Sequence, residues 1–344
     1  MRPAEMQSYL AEIEQQKGLR SSLDALFDWS LEVGYITQAK LQDNPRFAFK
    51  DAETGVTFTA QINVARSRYS PKPLTGQNIP KLHCPICIEN VGIPGKENLR
   101  VYEFTLGKRA FFLQLTPFPL VPRHFVLVQR APEPMCMSGQ SVADLMGFID
   151  RAPGYVGCSN SDVEWAGASI LVHHHYQVFD SIHLPIMEAS SLPRYQAQHA
   201  GVRYALLHYP IATVLLESKD SANLINAATA IIATWKAQDL GRNTCNLVVL
   251  KKNQCYQVYV IFRNPDHRTS AQWQPIKSEG VGVIEVAGEG IYPVPSDPSL
   301  LQQIEQDGLS VIKGIIMDNN PVPAVGLGAL FLVIEQAIQK GVSP

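Results

Sequence analysis

The sequence predicts an α+β fold built around antiparallel strands, and three observations carry that reading. Short segments with period-2 alternation recur through most of the chain. Tight polar turns, such as Gly107-Lys108 and Lys251 to Gln254, join several of them directly. Helical periodicity is confined to the two ends and a few isolated stretches, so strands and helices are segregated rather than alternating.

At 344 residues, with 46% hydrophobic and 17% charged residues, the chain can bury a sizeable core, and disorder is excluded as its general character. The net charge of −2 gives no general drive toward nucleic acid or an anionic membrane. Met1 to Gly18 carries charges throughout and lacks an apolar signal core. The apolar stretch Val325 to Ile334 is about half the roughly 20 residues a membrane span requires. A cytoplasmic location is therefore expected. In a reducing compartment the six cysteines do not suggest a disulfide framework.

Residues 3–42 read as helical, with Met6, Tyr9, Leu10 and Ile13, then Leu23, Leu26 and Phe27, at spacings of three and four. Phe47 to Phe49 and Val56 to Ile62 alternate as strands about an Asp51-to-Gly55 turn. A Pro/Lys-rich loop, Ser70 to Pro80, leads into His83-Cys84-Pro85-Ile86-Cys87. Taken alone, the Cys-x-x-Cys turn is compatible with a metal site, a redox pair or buried thiols. Tyr102 to Phe104, Ala110 to Leu115 and Arg123 to Val128 read as strands, Ser141 to Ile149 as a short helix, and Gly154 to Trp165 as a polar loop. In the second half, Arg203 to His208, Thr213 to Glu217, a hairpin at 246–262 and Gly282 to Val286 read as strands. Helices are expected at Ser221 to Lys236, from Asp297-Pro298 to about Lys313, and at Val325 to Lys340. The expected division is residues 1–200, carrying the helical segment 1–42, and residues 201–344.

The stretch Gly167 to Phe179 holds the chemistry. Three consecutive histidines lie in an apolar, β-favouring run. Alternation along one strand puts His173, His175, Gln177 and Phe179 on one face and His174, Tyr176 and Val178 on the other. Two imidazoles and a carboxamide then share a face, beside a small Gly167-Ala168-Ser169 turn.

In order along the chain, Cys84-Pro85-Ile86-Cys87, Pro119 to His124, Gly167-Ala168-Ser169 and His173-x-His175-x-Gln177 resemble the galactose-1-phosphate uridylyltransferase and GDP-sugar phosphorylase branch of the histidine-triad superfamily. The motifs cover roughly residues 45–190. The resemblance implies a HIT-like, galactose-1-phosphate uridylyltransferase-like fold of two tandem antiparallel sheet-plus-helix units. It also implies nucleotidyl transfer from, or phosphorolysis of, a nucleoside-diphosphate sugar through a covalent nucleotidyl-histidine. The nucleophile would be His175, and Gln177 would stabilise charge on the phosphate. Ser169, Arg66, Arg68 and Asn160 would bind substrate. A structural zinc would sit on Cys84, Cys87, His124 and His173. Phosphate or a sugar phosphate would be the acceptor, and a homodimer the assembly.

Two departures from the family pattern stand out. Ser169 lies four residues before His173, against three in the best-known transferases, and the family's asparagine is matched only by Asn160 across a small insertion. A carboxamide at position 177 has no proton to shuttle near neutral pH, which favours transfer over hydrolysis. The other readings the residues allow are a dinucleoside polyphosphate phosphorylase and a non-catalytic, zinc-stabilised nucleotide-binding protein.

Overall fold

The computed structural model describes residues 1–37, 44–64, 84–167, 170–295 and 297–341. The expected α+β class is what these residues form. Ten strands make one antiparallel sheet: β3 (Val101–Leu106), β4 (Arg109–Leu115), β5 (His124–Gln129), β6 (Tyr155–Ser159), β7 (His175–Asp180), β8 (Ser191–His199), β9 (Val202–Leu207), β10 (Thr213–Ser218), β11 (Thr244–Lys252) and β12 (Cys255–Arg263). Their spatial order is β3-β4-β5-β7-β6-β11-β12-β10-β9-β8. From the central β6–β11 pair outward, each half repeats one arrangement. β5, helix α3 (Gly139–Arg151), β6 and β7 on one side match β10, helix α4 (Ser221–Gln238), β11 and β12 on the other. A small second sheet joins β1 (Arg46–Lys50) and β2 (Thr57–Ile62) to a parallel β13 (Glu289–Tyr292).

The large sheet is covered on both faces. One face packs on α1 (Pro3–Lys17), α2 (Leu19–Glu32), α3, α4 and α7 (Leu327–Gly341) through a core that includes Leu145, Tyr176, Val178, Ile231 and Ile338. The other carries Val156, Phe179, Val248 and Ile261 against the small sheet, the single turn α5 (Val283–Val286) and α6 (Pro298–Asp318). The helix starts follow local chemistry. Asp220 Oδ1 accepts from Asn223 N, and Asp297 Oδ1 from Ser299 N with Pro298 at the first helical position. Asn253 and Gln254 take the left-handed conformation (φ 51° and 62°), which closes the β11–β12 hairpin in two residues. Among the described residues, no helix is long and apolar enough to cross a membrane.

Three expectations differ from the fold. The polar loop expected from Gly154 to Trp165 contains β6, whose five residues are all buried and pair with both β7 and β11. A fully buried strand shows no alternation, and Gly157 and Ser159 disguise this one. Gly282 to Val286, expected as a strand, instead holds a single helical turn, because Glu285 folds back onto Gly282 N. The histidine strand starts at His175 rather than upstream. The His173 carbonyl accepts from the next-but-one side chain, His175 Nδ1, at 2.7 Å.

Candidate active site

The site forms where β4, β5 and β7 lie side by side. The register pairs Val128 with His175, Val126 with Gln177 and His124 with Phe179. On the far edge it pairs Gln114 with Val126. Directly opposed residues of an antiparallel pair point to the same face. Gln114, His124, His175 and Gln177 therefore share one face and open into a cleft of about 770 Å³. The second half closes the cleft with Lys277 and the 279–285 segment. Gly167 is required at the rim: its φ is +100°, and a Cβ there would lie 2.8 Å from Val281 O.

Hydrogen bonds fix the tautomer of each histidine. His175 Nδ1–H donates to the His173 carbonyl at 2.7 Å, which leaves the Nε2 lone pair as the free valence. Burial lowers the His175 pKa and keeps the ring neutral. His173 Nε2–H donates to Gln129 O at 2.7 Å, so its Nδ1 lone pair faces the sulfurs, 3.1 Å from Cys84 Sγ and 3.4 Å from Cys87 Sγ. On the opposite face His174 Nδ1 accepts from Cys136 N at 3.3 Å. Its Nε2–H donates to Tyr176 Oη at 2.6 Å, and Tyr176 donates to Asp144 at 2.8 Å. Asp144 is in turn held by Arg109. This buried chain locks the back of the strand.

The ligand atoms of Cys84, Cys87 and His173 lie within 4.8 Å of one another, and all three residues are buried. The two sulfurs are joined as a disulfide, with Cα atoms 5.5 Å apart, and the reduced pair is the form that could ligate a metal. Two sulfurs and one imidazole, with the imidazole's other nitrogen bonded to a backbone carbonyl, form a donor set that fits zinc.

His124, expected as the fourth ligand, is not in this group. The resemblance matched it by order along the chain, but the register places it at the far end of β5. The residue of β5 that meets His173 is Gln129, five positions and about 17 Å along the strand. His124 instead stacks on Phe179, with ring centroids 4.2 Å apart. It accepts from Leu120 N through Nδ1 and reaches Gln177 Oε1 through Nε2 at 3.1 Å. Burial pushes its pKa down to about 3, so Nε2–H is the donor. Asn160 lines the cleft, but its Oδ1 accepts from Val283 N at 2.9 Å and ties the two halves together. Arg66, Arg68 and Ser169 lie outside the described residues.

Several residues at the site were not singled out from sequence. Gln114 sits inside an otherwise apolar strand. Lys277 pairs with Glu285 at 2.7 Å, with the lysine side chain 2% exposed, and this buried pair lines the cleft. The sequence-level signal for Gln114 was a polar residue after an apolar run, and Lys277, in the polar segment Gln274 to Gly280, carried none.

An antiparallel α+β fold with a His-x-His-x-Gln strand beside a two-cysteine, one-histidine cluster defines a protein of HIT-like fold. The comparisons agree with this class. Over 330 residues the chain is 26% identical to galactose-1-phosphate uridylyltransferase of Halalkalibacterium halodurans, covering 85% of this chain and 63% of that protein. It is 28% identical over 326 residues to the enzyme of the same name from Bifidobacterium longum, covering 85% and 61%. The chain is thus homologous to curated galactose-1-phosphate uridylyltransferases over most of its own length, and spans somewhat under two thirds of theirs. No protein-family model matches it. Among solved structures, yeast Ap4A phosphorylase Apa2 superposes with a TM-score of 0.58 at 13% identity, covering 88% of this chain and 94% of that one. Its AMP complex gives 0.56 at 14%, covering 87% and 95%. This likeness establishes the HIT-like fold.

Proposed function

We propose that the protein is a nucleotidyltransferase that takes a uridylyl group from a nucleoside-diphosphate sugar and passes it to phosphate or a sugar phosphate through His175. One observation carries the reading. His175 is held as the neutral Nδ1–H tautomer by the His173 carbonyl, with its Nε2 lone pair free on a strand that lines the cleft. A neutral imidazole so held is a competent nucleophile near pH 7.

In the proposed reaction His175 Nε2 attacks the α-phosphorus. The N–P bond forms as the P–O bond to the sugar phosphate breaks, and the electron pair leaves on that oxygen. An acceptor phosphate oxygen then attacks the same phosphorus, the N–P bond breaks and neutral His175 returns. Charge grows on the non-bridging oxygens during each attack. His124 Nε2–H donates to Gln177 Oε1, so the amide hydrogens of Gln177 are the ones left to face the phosphate. Zinc on Cys84, Cys87 and His173, when bound, would supply a rigid anchor for the segment before His175. Phosphate contacts from Arg66, Arg68, Ser169 and Asn160, the two-unit division near residue 200, a cytoplasmic location and a homodimer belong to the same proposal. The mirrored strand order supports the two-unit division.

Isotope exchange tests this. Labelled glucose 1-phosphate should enter UDP-glucose with no second acceptor present, because a ping-pong enzyme completes that half-reaction alone. Exchange that required a second acceptor, or that survived His175→Ala, would contradict the proposal.

A further inference from the structure

We infer that Gln114 reads the nucleobase, accepting a hydrogen bond from the imide N–H of uracil. The inference rests on the uridylyl-transfer reading and extends it to base selection. Gln114 is 6% exposed and lines the cleft, yet its Oε1 is buried without a hydrogen-bond partner among the described residues. A buried carbonyl oxygen left in this state is costly unless a ligand supplies the donor.

Its position suits a base. Gln114, Val126 and Gln177 are opposed in register across three adjacent strands, so Gln114 and Gln177 stand on one face two strand spacings apart, on the order of 10 Å. A nucleotide whose α-phosphorus sits between His175 and Gln177 would extend over Val126 and bring its base to Gln114. The apolar lining of the same cleft includes Ile86, Leu99 and Phe118, side chains of the kind that flank a flat ring. A carboxamide offers one acceptor and two donors in a plane. It can accept from uracil N3–H through Oε1 and donate to the neighbouring uracil carbonyl through Nε2.

The test is calorimetric titration of the full chain with UMP and with N3-methyl-UMP, which lacks that donor, on the native protein and on Gln114→Leu. The native protein should bind UMP at least about tenfold more tightly than the methylated analogue, because the methyl leaves Oε1 buried and unpaired. In Gln114→Leu the ratio should fall to within about twofold, with no unpaired oxygen left to penalise. Equal binding of the two nucleotides by the native protein would overturn the inference, and this arm needs no variant to fold. So would a ratio that persists in Gln114→Leu. Covalent labelling of His175 by α-labelled UDP-glucose is scored on separate aliquots of the same protein preparations. Discrimination without labelling contradicts the transfer reaction alone, while labelling without discrimination contradicts the role of Gln114 alone.

Discussion

His124 Nε2 lies 3.1 Å from Gln177 Oε1, across the β5–β7 pair. The histidine that sequence order assigned to a metal thus faces the carboxamide proposed to hold the phosphate. A free carboxamide can turn either end toward a ligand, and this bond selects the end. Replacing His124 with Phe keeps the stacking on Phe179 and removes the donor. Turnover should fall by about 10- to 100-fold, less than the roughly 10²–10³-fold for deleting a charge-stabilising donor outright, because His124 acts through Gln177. Asn at 124 should recover part of it. Zinc content, measured by mass spectrometry, should not change in either variant.

Zinc should depend on the residues that do cluster. Cys84→Ser and His173→Ala should each lose bound metal. Chelation should lower the melting temperature of the native protein but not of Cys84→Ser, because binding free energy at a structural site is folding free energy. For a chain of this size each kcal/mol lost corresponds to about 2–4 °C or less. Scanning calorimetry with and without chelator checks it.

The neutral state of His124 sets a pH dependence. Its folded pKa is lowered to about 3 from 6.5 by burial, and its ring meets Leu120 N, Gln177 and Phe179. The unfolded chain therefore binds the proton first as pH falls. Stability from this group is fully present above pH 6.5 and is lost as pH drops toward 3, at about 1.4 kcal/mol per pH unit. Denaturant titrations at pH 7 and pH 5 should differ by ~2 kcal/mol less in His124→Phe than in the native protein.

The Lys277–Glu285 pair, 2.7 Å apart and nearly inaccessible, gives a fourth test. Lys277→Met removes the ammonium that pairs with the buried Glu285 carboxylate and should cost about 3–5 kcal/mol. Adding Glu285→Gln should restore most of that, since the buried charge is then gone. Urea melts of the single and double variants measure the difference.

Much of this site was legible in the sequence, for a definite reason. Strand alternation has period two, so the partition of His175, Gln177 and Phe179 from Tyr176 and Val178 could be read before any fold was known: Tyr176 and Val178 enter one core, Phe179 the other, and His175 and Gln177 line the cleft. Register could not be read. Whether His124 or Gln129 meets His173 depends on which residues of β5 and β7 are opposed, and chain order does not encode that. β6 was hidden because both its neighbours are strands and both its faces are buried, so its pattern has no polar side. Val283–Val286 was misread because three β-branched residues around one Glu fit a strand or one helical turn equally well at this length. The Lys277–Glu285 pair and the unpaired Gln114 oxygen appear only once distant segments meet at the cleft.

If His175 carries the nucleotide during transfer, the covalent adduct can be trapped. The protein is incubated with α-labelled UDP-glucose, denatured, and the label is followed through acid and base. The expected label is lost in acid, stable in base and absent from His175→Ala. Label equally present on His175→Ala, or no label on the native protein with UDP-glucose or other nucleoside-diphosphate sugars, would contradict it.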